Sequence, residues 1–212
     1  MKILILATPR SGGTSLVEGI GAQNYKQIHE PFVKWSQFNQ IIEYPLRALD
    51  VYNNVVVRTL PQQKPPSIKY NVTNFHQKLA ADFDKVICLD RLNNVEHEKS
   101  FLNLDWKMQN KKSVKDKWSF DDIPKEFIRE FYDNNRHHQL QEQKEQLKLT
   151  SDVLNIPIIW YEDLYGENRL LSFVTIKKLG LTNINSSALN QHLDPTRRYR
   201  QFNNEKLDKR NF

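Results

Sequence analysis

The sequence contains a single cysteine and lacks any long apolar run. The cysteine, Cys88, lies in the apolar stretch "KVICLD", so no intramolecular disulfide can form and a buried thiol is expected. No stretch approaches the roughly 18 apolar residues of a membrane-spanning helix, and the apolar run from Ile3 to Ala7 is too short for the core of a signal peptide. We therefore expect a cytoplasmic protein without a membrane span.

Acidic residues are outnumbered by basic ones, which indicates the kind of partner. The chain has 31 Lys and Arg against 25 Asp and Glu, a formal net charge of +6. This balance favours an anionic partner, and a nucleotide, a nucleic acid, a sulfated sugar or an acidic membrane would each fit. The length of 212 residues predicts one domain, residues 1–212, with a substantial buried core.

Short apolar runs alternate with helical patterns along the chain. The runs "KILILA", "NNVVVRTL", "KVICLD" and "IPIIWYEDL" are typical of strands buried on both faces of a parallel sheet. Helices are predicted after the first run and in the ranges 74–83 and 124–150, while residues 101–120 suggest a loop or an irregular helix at the surface. This order predicts an α/β fold, a three-layer α/β/α sandwich around a mainly parallel sheet.

The stretch "ATPRSGGTS" follows the first predicted strand and is similar to a phosphate-binding loop. In the pattern G-x4-G-K-[ST], Ala7 replaces the first glycine, Gly12 matches the second, and Gly13 replaces the lysine. A strand that turns into a helix through two glycines still offers free backbone N–H groups to an anion. Without the lysine a nucleoside triphosphate is not expected, and an ordinary tight turn is the alternative interpretation.

Two further stretches could hold a second phosphate. Arg91 follows the strand "KVICLD" and Ser100 comes nine residues later, so a guanidinium fork and a hydroxyl could share a phosphate monoester. The alternative is that Arg91 pairs with Asp90 or Glu96 at the surface while Ser100 faces water. Near the C-terminus, "DPTRRYRQF" is either a nucleotide-binding segment or a solvated tail.

Taken in order, these motifs resemble sulfotransferases that use 3′-phosphoadenosine-5′-phosphosulfate (PAPS), nearest to the bacterial trehalose-type branch. The resemblance implies a P-loop sulfotransferase-like fold, a loop "PRSGGTSL" that holds the 5′-phosphosulfate, and an Arg91/Ser100 pair that holds the 3′-phosphate. It implies that Arg10 faces the sulfuryl group. The donor-binding residues so assigned are Pro9, Arg10, Ser11, Gly12, Gly13, Thr14, Ser15, Arg91, Ser100, Arg197, Arg198, Tyr199 and Arg200.

The candidate general base is Glu30, in the stretch "QIHEPF". The resemblance implies this role, and the adjacent His29 could serve instead because imidazole titrates nearer neutral pH. The alternative is a loop glutamate that pairs with Lys26 or Lys34. No metal is expected, since sulfuryl transfer needs none and His137 and His138 are adjacent on a predicted helix. His97 is interpreted as helix surface.

The function so predicted is transfer of a sulfuryl group from PAPS to a hydroxyl, leaving adenosine 3′,5′-bisphosphate. The acceptor stays open among a carbohydrate, a lipid glycan, a small alcohol and a tyrosine, with Trp35, Trp106 and Trp118 available for stacking. No nucleic acid is obligatory. One alternative is a P-loop nucleotide or sugar kinase, with Asp90 near magnesium, and another is a non-catalytic basic module that binds nucleic acid or glycans.

Overall fold

A computed structural model of the chain describes residues 1–32, 44–110, 123–165 and 177–181. These ranges contain five strands and seven helices. In chain order they are β1 (Lys2–Ala7), α1 (Gly13–Gly21), β2 (Lys26–His29), α2 (Ala48–Val51), β3 (Val55–Thr59), α3 (Val72–Ala80), β4 (Lys85–Asp90), α4 (Asn94–Gln109), α5 (Lys125–Asp133), α6 (Arg136–Leu154), β5 (Ile158–Trp160) and α7 (Tyr161–Tyr165).

The strands form one parallel sheet in the order β2-β3-β1-β4-β5. The connection from β1 leads toward β2 on one side, whereas the connection from β4 leads toward β5 on the other. Ligands of open parallel sheets bind beyond the carboxyl ends of two strands that diverge in this way. The crevice between the ends of β1 and β4 is therefore the expected place for a site.

Both faces of the sheet are covered by apolar side chains. Along β1, Ile3 and Ile5 pack with α1 on one face, while Leu4 and Leu6 pack on the other face with Phe75 of α3 and with α6. This alternation follows from the two-residue period of a strand that is buried on both sides. The predicted α/β class and parallel sheet are confirmed.

The helix predicted over residues 124–150 is in fact two helices, α5 and α6. The chain turns between them at Asn135, which has a φ of 53°, in the left-handed region that no α-helix passes through. Asparagine tolerates this conformation better than most residues, so "DNNR" breaks the pattern without a glycine or a proline.

The prediction for residues 101–120 is wrong over its first half, because α4 continues to Gln109. Trp106 is only 7% exposed and packs with Leu102 and with Ile128 and Phe131 of α5. It fills a small core and is unavailable for stacking on a substrate. Trp35, Trp118 and the lysines 111, 112, 115 and 117 lie outside the described residues.

The single cysteine and the absence of a long apolar run were noted in the sequence, and the structure bears on both. Cys88 is buried in β4, and burial raises the pKa of its thiol to about 12, so it is an inert core residue. Among the helices described here, none has the length and apolar character that crossing a membrane requires.

Candidate functional site

The turn after β1 is held in a defined shape. Ser11 donates from its backbone N–H and its hydroxyl to the carbonyl of Thr8, at 3.3 and 2.7 Å, and the Thr8 N–H donates to the Leu89 carbonyl of β4 at 3.1 Å. Arg10 and Gly12 both have positive φ, 65° and 83°. This turn aims the N-terminus of the nine-residue helix α1 at the carboxyl edge of the sheet, where its free N–H groups attract an anion.

The glycines of the turn are needed for space as well as for conformation. A Cβ on Gly12 would lie 2.5 Å from the ring of Tyr165 and 2.9 Å from that of Tyr161, and the Tyr165 hydroxyl donates to the Gly12 carbonyl at 2.8 Å. A Cβ on Gly13 would lie 2.8 Å from Nε of Arg58. An arginine of β3 and two tyrosines of α7 thus pack directly against the loop.

The predicted second site lies beside this loop. Arg10 donates from Nε to the hydroxyl of Ser100, which is 4% exposed on α4, at 3.1 Å. Thr14 and Ser15 occupy the first turn of α1 and are partly exposed. The loop residues and Ser100, which are 90 positions or so apart in sequence, therefore share one place at the ends of β1 and β4.

Arg91 leaves β4 toward α7. Its guanidinium lies 4.7 Å from the ring centroid of Tyr161, its Nη1 donates to the Glu96 carbonyl at 3.4 Å, and its Nε is 3.9 Å from a carboxylate oxygen of Glu162. Burial lowers the pKa of Arg91, which remains charged. The alternative pairing with the carboxylate of Asp90 or Glu96 is not what the structure contains.

The main chain after Arg91 is clamped from two sides. Glu162 of α7 accepts hydrogen bonds from the backbone N–H groups of Leu92 and Asn93, at 2.9 and 3.2 Å. From the opposite side, Nζ of Lys144 on α6 donates to the Arg91 carbonyl at 2.7 Å. The stretch "YEDL", predicted as part of a strand, instead forms α7, and Glu162 gives it a contact with the site.

A buried polar network lies beneath both loops. Asp90 accepts a hydrogen bond from the Thr8 hydroxyl at 2.6 Å and forms an ion pair with Lys144, in which the N–O distance is 3.0 Å. His97 donates from Nε2 to the Pro9 carbonyl at 2.5 Å and accepts from Lys144 at Nδ1, at 3.2 Å. Because burial, the foremost cause, lowers the pKa of His97 to about 3, the ring is neutral and its approach to Asp90 is no ion pair.

Two interpretations are corrected by this network. His97, interpreted as helix surface, is fully buried because its imidazole bridges the first loop and α6. Asp90, considered for magnesium, is 3% exposed, and its two carboxylate oxygens are engaged by a hydroxyl and an ammonium group. Within the described ranges, no group of three or more His, Cys, Asp and Glu side chains has the arrangement of a metal site.

Glu30 follows β2 at the same edge of the sheet. Its carboxylate forms an ion pair with Nη1 of Arg58 and accepts from the Gln63 amide at 3.4 Å. Its backbone N–H donates to the Arg58 carbonyl at 2.7 Å, and its φ is 46°. Glu30 thus pairs with an arginine of the neighbouring strand and not with Lys26, while Lys34 lies outside the described residues.

His29, the other candidate base, ends β2. Burial, and next the positive charge of Arg58, lower its pKa, so the neutral imidazole is the prevailing form at neutral pH. Its place beside Glu30 keeps it close to the same arginine. As a neutral ring it retains a nitrogen that can accept a proton.

Several residues of the site were missed in the sequence. Arg58 had a visible signal, since a lone arginine inside the apolar run "VVVRT" must have a buried partner. Gln63, Lys144 and Glu162 had none, because polar residues in a loop or on a helix look like solvated surface. The arginines 197, 198 and 200 and Tyr199 lie outside the described residues, so their predicted role in donor binding stays a prediction.

The site as a whole combines three guanidinium groups with the carboxylates of Glu30 and Glu162. Arg58 lies at the N-terminus of α1 and Arg10 in the loop before it, while Arg91 lies over the ring of Tyr161, which packs against Gly12. Glu30 is connected to this group through Arg58. Such a set can bind an anion with two phosphate groups and take a proton beside it. No protein-family model, curated protein or solved structure matches the chain.

Proposed function

We propose that this protein transfers a sulfuryl group from PAPS to a hydroxyl of an acceptor, leaving adenosine 3′,5′-bisphosphate. The observation that carries the proposal is the hydrogen bond of 3.1 Å between Arg10 and Ser100. It means that one ligand can reach a helix N-terminus and the Arg91 region together. A bisphosphorylated nucleoside has two anionic groups within one small molecule and fits this requirement.

The two ends of the donor would be bound differently. The 5′ end would lie on the loop of Arg10, Ser11, Gly12 and Gly13 and on the N–H groups at the start of α1, where Thr14 and Ser15 add hydroxyl groups. The 3′-phosphate would lie between Arg91 and Ser100. A guanidinium fork with a hydroxyl supplies the directed donors that a phosphate monoester accepts.

In the reaction, an acceptor hydroxyl oxygen attacks the sulfur in line with the bridging oxygen of the donor. A new S–O bond forms, the bond to the bridging oxygen breaks, and that oxygen stays on the 5′-phosphate of the product. The proton of the hydroxyl passes to Glu30 or His29. Arg10 and Arg58 would stabilise the charge on the bridging and sulfonyl oxygens, and positioning with electrostatics would supply most of the catalysis.

The proposal includes an acceptor that carries a hydroxyl group and a cytoplasmic location. A carbohydrate, a lipid glycan, a small alcohol and a tyrosine all carry the required hydroxyl. A cytoplasmic location fits a donor nucleotide made inside cells. The kinase alternative is less attractive, because the Asp90 carboxylate is already bound by Thr8 and Lys144.

The proposal is tested by calorimetry with adenosine 3′,5′-bisphosphate. We expect a dissociation constant on the order of micromolar, weakened about tenfold or more by Arg10→Ala and by Arg91→Ala, because each removes a charged donor. Arg129→Ala, at an exposed position of α5, is the matched control and leaves the affinity unchanged. Absence of binding to the wild type overturns the proposal, and magnesium-dependent ATP turnover in its place supports a kinase.

A further inference from the structure

Lys144 is a charged residue of α6 whose side chain reaches the base of both loops. Its ammonium group lies 2.7 Å from the Arg91 carbonyl, 3.0 Å from a carboxylate oxygen of Asp90 and 3.2 Å from Nδ1 of His97. Its side chain is 13% exposed. Withdrawing a lysine from water is costly, and three acceptors from β4 and α4 compensate it here.

The acceptors of Lys144 connect it to the two predicted phosphate sites. The Arg91 carbonyl belongs to the residue whose guanidinium would hold the 3′-phosphate. His97 connects Lys144 to the loop after β1, because its Nε2 donates to the Pro9 carbonyl at 2.5 Å. One ammonium group therefore joins the loop after β1 to the loop after β4, without itself belonging to either loop.

We propose that Lys144 is a positioning residue for the donor site, which fixes the main chain of Arg91 so that its guanidinium meets the 3′-phosphate. The inference rests on the proposed function, since it assumes that Arg91 binds this phosphate. Lys144 does not touch the donor in this scheme. It acts through Arg91, and with His97 it keeps the loop of Pro9 at a constant distance from that arginine.

The choice of lysine follows from the shape of the contact. An ammonium group has three N–H donors on one small atom, and a carbonyl, a carboxylate and an imidazole nitrogen all lie within 3.2 Å of Nζ. The planar fork of arginine directs its donors into one plane and requires more room. Lys144→Arg therefore keeps the charge and loses the geometry.

The measured quantity is the 3′-phosphate increment, defined as the dissociation constant of adenosine 5′-phosphate divided by that of adenosine 3′,5′-bisphosphate. Calorimetry gives it for the wild type, Arg91→Met, Lys144→Met, Lys144→Arg and the double variant Arg91→Met/Lys144→Met. Lys148→Met, an exposed lysine one turn further along α6, is the matched control. Thermal unfolding of each variant shows that it is folded.

We expect Arg91→Met to reduce the increment about tenfold or more, and each Lys144 variant to reduce it about threefold or more. In the Arg91→Met background, Lys144→Met should change the increment by less than about twofold, because its effect passes through Arg91. If Lys144 acted only through its long-range charge, Lys144→Met would still reduce the increment in the Arg91→Met background. Lys144→Arg, which keeps the charge, would then leave the increment unchanged. Lys148→Met leaves the increment unchanged.

The outcomes separate the two proposals. A wild-type increment near one, or one that Arg91→Met leaves unaltered, means that the proposed 3′-phosphate site is wrong, and the role of Lys144 falls with it. An increment that depends on Arg91 but is unaltered in both Lys144 variants overturns only the positioning role. If Lys144→Met does not fold, Lys144→Arg alone decides, since it retains the buried charge.

Discussion

At the scale of single residues, Arg58 is notable as a buried charged side chain whose hydrogen-bond donors are only partly satisfied. It is 6% exposed, its Nη1 is bound to Glu30, and its Nε has no hydrogen-bond partner among the residues that the structure describes. That Nε also lies close to Gly13, where a Cβ would come within 2.8 Å of it. A buried donor that lacks a partner costs stability, so its position next to a helix N-terminus suggests that a ligand supplies the acceptor.

This gives a prediction for catalysis. Arg58→Met should lower turnover with labelled PAPS by about 10²-fold or more, because it removes a cation from the reacting oxygens. Its affinity for adenosine 3′,5′-bisphosphate should change less than about threefold, since that product lacks the sulfonate. Glu30→Gln should behave similarly, with affinity retained and turnover lost. The measurement is sulfate transfer to a panel of hydroxyl acceptors, and turnover unchanged in either variant removes that residue from the mechanism.

Two buried histidines predict how stability depends on pH. Burial lowers the pKa of His76 to about 4 and that of His97 to about 3, against an ordinary value near 6.5. The unfolded chain therefore binds protons that the folded chain excludes. The free energy of unfolding should be highest above about pH 6.5 and fall toward pH 4, by up to about 1.4 kcal/mol per pH unit for each histidine.

Urea unfolding between pH 7 and pH 4.5 measures this slope. His76→Gln keeps a donor for the Gln63 carbonyl and removes one histidine titration, while His97 and the partly buried His29 keep theirs, so the slope should become less steep. His138→Gln, at an exposed position on α6, is the control and should leave it unaltered. A slope that His76→Gln does not reduce would mean that His76 is not kept neutral by the fold.

At the scale of secondary structure, the apolar content of each strand decided whether it was predicted. Strands β1, β3 and β4 were predicted because both faces are buried and their sequences are almost purely apolar. The edge strand β2 was missed, since only Ile28 of its four residues is buried. The α5 and α6 boundary was missed because Asn135 enters the left-handed region inside a continuous polar helical pattern.

The turn between β1 and α1 gives a prediction at the same scale. Gly12→Ala combines an unfavourable φ of 83° with a Cβ placed 2.5 Å from Tyr165, so it should lower the free energy of unfolding by about 2 kcal/mol or more. Gly180→Ala has a similar φ of 66° but meets only the mobile end of Lys85 at 3.0 Å, and should cost less. Urea unfolding of both variants gives the comparison. Equal losses in the free energy of unfolding would show that the rings of Tyr161 and Tyr165 move aside to accommodate the added methyl group.

At the scale of the whole molecule, the sequence predicted one half of the candidate site. Arg10 and Arg91 were singled out because they follow strands, which a parallel sheet brings to one edge, and Ser100 because it comes nine residues after Arg91. Arg58, Gln63, Lys144 and Glu162 were not, because they come from elements that pack across the site in three dimensions. Nothing in a helix such as α6 shows from its own sequence that one lysine faces inward.

The net charge leaves two ways to bind an anion, and they differ in their response to salt. Surface lysines and arginines that neutralise a polyanion release counterions, so a ligand held by six to ten such contacts loses about 10³- to 10⁵-fold in affinity between 50 and 200 mM salt. Arg58 is instead buried next to the N-terminus of α1, and the side chain of Arg91 is only 16% exposed. Buried charges are screened much less by dissolved ions.

We therefore expect the affinity for adenosine 3′,5′-bisphosphate to fall less than about tenfold over that range of salt, while binding of a single-stranded oligonucleotide or of heparin falls far more steeply. Calorimetry at both salt concentrations makes the comparison, and Arg91→Met serves as the control for specific nucleotide binding. If the affinity for a polyanion falls steeply with salt and the protein does not bind the nucleotide, the non-catalytic basic module is favoured. Nucleotide binding that survives 200 mM salt and depends on Arg91 favours the enzyme, because only a built pocket retains affinity once surface charge is screened.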